Sequence, residues 1–146
     1  MSSRPSSLGL RTTNFTATQA CWELVAPSTR RIVVKEISLI QATATACSYG
    51  LGRPQALGIT PVPVLFQRDD PADNASTSSA SLSWGTSPTV PLIFLRRWNT
   101  SAAVGPTMIW QFPEGLVLED TGILSGLVIW NISTGVAMDV NCKIEE

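Results

Sequence analysis

From Val136 to Glu145 the chain alternates. Val136, Met138, Val140, Cys142 and Ile144 are apolar, and Ala137, Asp139, Asn141, Lys143 and Glu145 fall between them. A period of two held over ten residues suits only an extended strand with one face on a core and the other in water, because successive side chains of a strand point to opposite faces. Just upstream, Gly126 to Asn131 (GLVIWN) is almost continuously apolar and is followed by Ser133-Thr134-Gly135. The pairing of two strand patterns across a turn signal predicts a hairpin.

The rest of the chain repeats this grammar. Thr107 to Phe112 places Met108, Trp110 and Phe112 on one face and ends at Pro113-Glu114-Gly115. Leu116 to Glu119 reads as another short strand before the Asp120-Thr121-Gly122 turn. Val90 to Trp98 is a further strand, whose start Pro91 confines to an edge or a bulge. Ala20 to Val25 precedes the turn Pro27-Ser28-Thr29, which feeds the run Arg31 to Ala46. There Val33, Ile37 and Leu39 share one parity and Ile32, Val34 and Ile40 the other, so either both faces are partly apolar or a bulge shifts the register. No stretch joins helical spacing to a cap. The expectation is an all-β chain of about eight antiparallel strands, a sandwich or a barrel. With 146 residues it forms one domain over 1–146, with an N-terminal arm over about residues 1–10 and a long polar loop over about 69–83. That loop is rich in Ser, Thr, Ala and Asp and is expected to be mobile when free.

The segment Tyr49 to Gly58, YGLGRPQALG, tests for phosphate chemistry. A dinucleotide fingerprint needs three spaced glycines between a strand and a helix, whose N-terminus holds the pyrophosphate. Here Gln55 stands at the third position, Pro54 interrupts, and the continuation to Leu65 is strand-like. Gly50 and Gly52 are expected to permit a turn that displays Arg53. Histidine is absent, which removes the Ser-His-Asp and Cys-His nucleophile systems. Asp69, Asp70, Asp73, Glu114, Glu119 and Asp120 sit in loops and near turns, where acids collect for solvation, so no catalytic pair is assigned. The Asp69 to Asp73 cluster, Asp-Asp-Pro-Ala-Asp, could offer oxygen ligands to calcium but lacks the Gly and terminal Glu of a calcium loop. The sequence therefore predicts no enzyme, no cofactor and no metal. Cys21, Cys47 and Cys142 are widely spaced and odd in number, and read as reduced, buried small hydrophobes.

Charge bounds the partners. Ten basic and eleven acidic residues give a net charge of −1, which leaves no footprint for nucleic acid or an anionic membrane. The start MSSRPSSLGL lacks the apolar stretch of a secretory signal, and the longest apolar run, Ile123 to Trp130, is too short to span a bilayer. Charged residues make up only 14%, against about 25% in an average soluble protein, so the surface is covered either with Ser, Thr, Asn, Gly and Pro or in part by other subunits. Of five tryptophans, Trp110 and Trp130 lie in apolar strand patterns and are assigned to the core. Trp84 and Trp98 border polar loops, which leaves exposure or burial between subunits open. Arg96 and Arg97 beside Trp98 make an interface hot spot, since Arg and Trp are the enriched anchors. Arg53, Trp84, Arg96, Arg97 and Trp98 are thus the candidate interface residues.

Taken together, APSTRRI (Ala26 to Ile32), YGLGRPQALGITP (Tyr49 to Pro61), DPADNAST (Asp70 to Thr77), SWGTSPTVP (Ser83 to Pro91), FLRRW (Phe94 to Trp98), IWQFPEGL (Ile109 to Leu116) and LVIWN (Leu127 to Asn131) resemble small β-sandwich virion structural proteins of tailed bacteriophages. The resemblance covers most of the chain. It implies a jelly-roll-like decoration or cement protein on the outer surface of a capsid, a homotrimer whose partners are itself and the major capsid protein, made in the host cytoplasm. A tail, baseplate or fibre component would share these features. A carbohydrate-binding module would require Trp84 and Trp98 to line one exposed groove.

Overall fold

Eleven strands and a single 3-10 turn make up the regular structure of the computed structural model, which describes residues 3–146. In chain order the strands are β1 (Pro5–Arg11), β2 (Gln19–Val25), β3 (Ile32–Gln41), β4 (Ser48–Gly52), β5 (Ile59–Leu65), β6 (Gln67–Arg68), β7 (Ser79–Thr86), β8 (Phe94–Asn99), β9 (Thr107–Leu118), β10 (Gly126–Asn131) and β11 (Met138–Glu145). They form two antiparallel sheets, ordered β6-β1-β11-β3-β9 and β5-β7-β2-β10-β4-β8. The sheets pack face to face as an all-β sandwich, with more strands than the eight expected.

One core fills the space between the sheets. Ile37, Leu39, Trp110, Phe112, Met138, Val140, Cys142 and Ile144 come from the five-stranded sheet. Trp22, Leu24, Tyr49, Leu51, Leu127 and Ile129 come from the six-stranded one. The C-terminal alternation is a strand whose apolar parity lies in this core, as its period required. The mixed parity of the Arg31 to Ala46 run resolves as a bulge: the β3–β9 register shifts between Val34 and Glu36, so Ile32 and Val34 face the core before it and Ile37 and Leu39 after it. The same irregularity carries β9 through Pro113-Glu114-Gly115, where Gly115 has φ +79, so the two strands read there are one. Cys21, Cys47 and Cys142 are free and buried.

Three expectations need correction. Residues 5–11 are not an arm: β1 pairs with β11 from Pro5↔Glu145 to Arg11↔Asp139 and with β6, and its Leu8 and Leu10 pack on the core. The polar loop is shorter than 69–83, because Ser79–Thr86 is β7 and pairs with both β2 and β5. Small Ser and Ala side chains hide its periodicity. β10 and β11 are not a hairpin: β10 pairs with β2 and β4, β11 with β1 and β3, and the chain between them crosses from one sheet to the other with Val136 in the core.

The six-stranded sheet also buries much of its outer face. All six residues of β10 are buried. Leu127 and Ile129 point into the core, while Gly126, Val128 and Trp130 have the opposite parity. A Cβ on Gly126 would meet Leu57 at 2.3 Å and Pro54 at 3.3 Å. One on Gly52 would meet Pro91 at 2.7 Å, and one on Gly50 the Phe94 ring at 2.4 Å. Segments 53–58 and 91–94 therefore lie flat on this face, and glycines beneath them give the room.

Candidate interaction surface

The glycine pair of the opening segment belongs to β4, paired with β10 and β8, and does not form the expected turn. Chain direction and close approach explain it. Gly50 and Gly52 let Phe94 and Pro91 sit on the strand, and the chain goes on into β5 with no α-helix to present an N-terminus to a phosphate.

Arg53 is half-buried and tied into the fold. It follows β4, and its guanidinium donates to Val117 O at 2.8 Å and to Leu124 O at 3.3 Å, fastening segment 53–58 to the end of β9 and the 3-10 turn Ile123–Ser125. Trp98 is buried at 8% exposure and stacks on Tyr49, with ring centroids 6.0 Å apart and planes inclined by 28°. It is a core residue at the rim. Arg96 and Arg97 are exposed neighbours of it on β8. The Arg96 guanidinium lies 5.2 Å from the centre of the Phe112 ring and that of Arg97 lies 5.7 Å from Phe94, both within cation–π range. Trp84 is half-buried on β7, at the other side of the same sheet. The five candidates therefore form no single site: Arg96 and Arg97 mark one flank, where Arg53 also lines the surface while clamping the fold, Trp84 lies near the other, and Trp98 belongs to the core.

Trp84 owes its position to a bulge. Ser81 stands opposite Pro63 and Trp84 opposite Pro61, so Leu82 and Ser83 together oppose Val62, and Trp84 regains the face of Ser81 and Glu23. Its Nε1–H donates to Glu23 Oε1 at 3.0 Å, while the Gly58 N–H donates to Oε2 at 3.1 Å. Glu23 is 1% exposed, and burial raises its pKa against the pull of these two donors.

The acids divide by structural duty. Asp69 lies 3.8 Å from Lys143 and Glu119 3.3 Å from Arg31. Asp70 accepts from the Ala72 N–H at 2.9 Å in a local turn. No group of three or more metal-ligating side chains comes together among the described residues. A charged cavity of about 630 Å³ at the chain ends has Arg4, Arg30 and Arg31 facing Asp120 and Glu146.

Sequence reasoning passed over the two most exposed apolar features. All seven residues of β5, ITPVPVL, are exposed, including Ile59, Val62, Val64 and Leu65. At the opposite edge of the sheet, Leu92 and Ile93 are 82% and 77% exposed. With Pro54, Leu95 and Ile123, and with Arg53 and Gln55 beside them, they line an open groove of about 330 Å³. The prolines of ITPVPVL were the available signal, because proline inside a strand pattern marks an edge.

Fold and surface together define an all-β sandwich with apolar features on two flanks. Comparison with protein-family models, curated proteins and solved structures found no match. No helix among the described residues is long and apolar enough to cross a membrane.

Proposed function

We propose that the chain is a non-enzymatic virion structural protein, a decoration (cement) protein that stabilises a phage head by binding at junctions between major capsid proteins. The observation that carries the reading is the exposed apolar surface. Ile59, Val62, Leu65, Leu92 and Ile93 are all more than half exposed in a chain with 14% charged residues. Exposed apolar patches, here one on each of two flanks, mark places where another macromolecule sits, and the cores of permanent interfaces are depleted in charge. The sequence resemblance to virion β-sandwich proteins supports the same role and supplies its finer parts, the jelly-roll-like arrangement and the homotrimer. The sugar-binding geometry finds no support, since Trp98 is buried and Trp84 lies across the sheet from it.

The test is reconstitution. Heads lacking the protein are mixed with the purified chain, sedimented, and imaged by electron cryo-microscopy. Saturable binding at fixed lattice positions, with greater resistance of the shell to heat, is the expected result. Density on tails or baseplates, with bare heads, would replace this reading by a tail role.

A further inference from the structure

The two flanks of the sandwich are unlike. On one, β5 projects as an edge strand with Val62 and Val64 on one face and Leu65 on the other, all in solvent. Phe66 donates its N–H to Ser78 O at 3.0 Å, which sets the alternation: residues of that parity turn their N–H toward the sheet, and Pro61 and Pro63 fill the outward positions. Proline has no N–H, so the outer rim of β5 has no donor at Pro61 or Pro63 and is a poor template for another strand. Contact with this ledge therefore falls mainly to its side chains.

On the other flank the surface is concave. The groove between Pro54, Leu92, Ile93, Leu95 and Ile123 opens beside β8, the last strand at that edge. We propose that the β5 ledge of one copy seats in the β8 groove of the next, a head-to-tail contact that the homotrimer of the proposed function closes into a ring. A two-fold contact buries the same patch on both partners, whereas a heterologous one uses two different patches per copy. Ledge and groove lie at opposite edges of one six-stranded sheet, so only the heterologous arrangement joins them.

Charge agrees locally. Arg96 and Arg97 on β8 have no carboxylate within 4.0 Å among the described residues, and the carboxylates of Asp70 and Asp73, just past the ledge and β6, have no cation within that distance, while Arg68 donates to the Asp73 backbone carbonyl. Ledge-into-groove docking brings these two sets toward one another. Glu114 on the groove side and Arg68 on the ledge side make this a match of local pairs rather than of net charge. The inference deepens the proposed structural role and rests on it for the identity of the occupant, a second copy of this chain.

The experiment uses the full chain in analytical ultracentrifugation at micromolar concentration. A ledge variant, Val62→Asp, and a groove variant, Ile93→Asp, are each run alone and then mixed in equal amounts. Circular dichroism melts check the folds, and the milder pair Val64→Thr and Leu92→Ser replaces any variant that melts early. The wild type is expected to sediment as a closed oligomer and each variant as a monomer. The mixture should give a dimer and stop there, because each variant retains the surface the other has lost. A monomeric wild type, a variant that still assembles, or a mixture that stays monomeric would overturn the ring. A monomer that nevertheless decorates heads would refute the ring and leave the structural role standing. An oligomer formed as described that ignores both heads and tails would do the reverse.

Discussion

The Trp84 indole N–H donates to the Glu23 carboxylate at 3.0 Å, a bond between the neighbouring strands β7 and β2, and the same carboxylate accepts from the Gly58 N–H and so holds that segment on the outer face of the sheet. Glu23 is buried with two N–H donors and no cation within 4.0 Å among the described residues. A buried carboxylate of this kind depends on each donor it has.

Trp84→Phe keeps the ring and deletes the donor. A hydrogen bond to a charged group contributes about 1.5–3 kcal/mol, so a loss of stability in that range is expected at neutral pH. The sign of the pH dependence follows from burial, which already holds the Glu23 pKa above its usual value. Stability from such a group falls as pH rises from the unfolded pKa through the folded one. Removing a donor widens that window, so the deficit of Trp84→Phe should shrink on acidification through the carboxylate range. Thermal melts at a series of pH values check this, and a deficit independent of pH would refute it.

Gly50→Ala should destabilise by steric conflict. Its Cβ would stand 2.4 Å from the Phe94 ring, and overpacking of this kind costs about 1–3 kcal/mol. Phe94→Leu in the same chain should recover part of the loss, since residues in contact are energetically coupled. Urea unfolding of both singles and the double gives the coupling directly. Additive effects would mean that the ring moves aside freely.

Legibility followed side-chain contrast. β10 and β11 were plain because large apolar residues mark them, one as a continuous run buried on both faces and the other as a clean alternation. β1 and β7 were hidden because Ser, Gly and Ala dominate them, and a strand of small residues in a sheet interior looks like a polar linker. The false hairpin has a different cause. Sequence adjacency favours pairing, but nothing local in Ile132 to Ala137 says that the chain crosses between layers. Glu23 with Trp84 needed a bulge in β7 to meet, and bulges of that kind leave no compositional mark. The β5 ledge was legible as a strand, and its isolation from both faces of the sandwich was not.

Arg53→Ala should weaken the fold itself. The guanidinium donates to Val117 O and Leu124 O, and because the site is partly open to water the loss should be about 1–2 kcal/mol, below the range for fully buried charged bonds. Arg53→Lys should not restore it, since an ammonium lacks the fork that reaches two carbonyls at once. Chemical denaturation of the two variants is the check. Wild-type stability in Arg53→Ala would show that segment 53–58 holds without this clamp.

Glu146 closes the polar loop from the far end of the chain. Its Oε1 accepts from Ser76 Oγ at 2.8 Å, from the Thr77 and Ser78 N–H groups at 3.1 and 2.9 Å, and from Ser78 Oγ. Oε2 faces Arg30 Nη1 at 4.0 Å, and the side chain is 1% exposed. Burial works to raise the carboxyl pKa, but the donors from Ser78, Ser76 and Thr77 outweigh it and hold the group below its usual value. A carboxylate depressed in the folded state contributes stability that is present above the unfolded pKa and lost as pH falls through the folded one. Glu146→Gln should therefore cost about 1–2 kcal/mol near neutral pH, and its melting temperature should converge on the wild type in acid. The amides of Thr77 and Ser78 should lose protection from hydrogen exchange in the variant, while those of β10, which bond within the sheet, keep theirs. Equal protection at Thr77 and Ser78 in both proteins would mean that the loop is ordered by its own turns and not by this carboxylate.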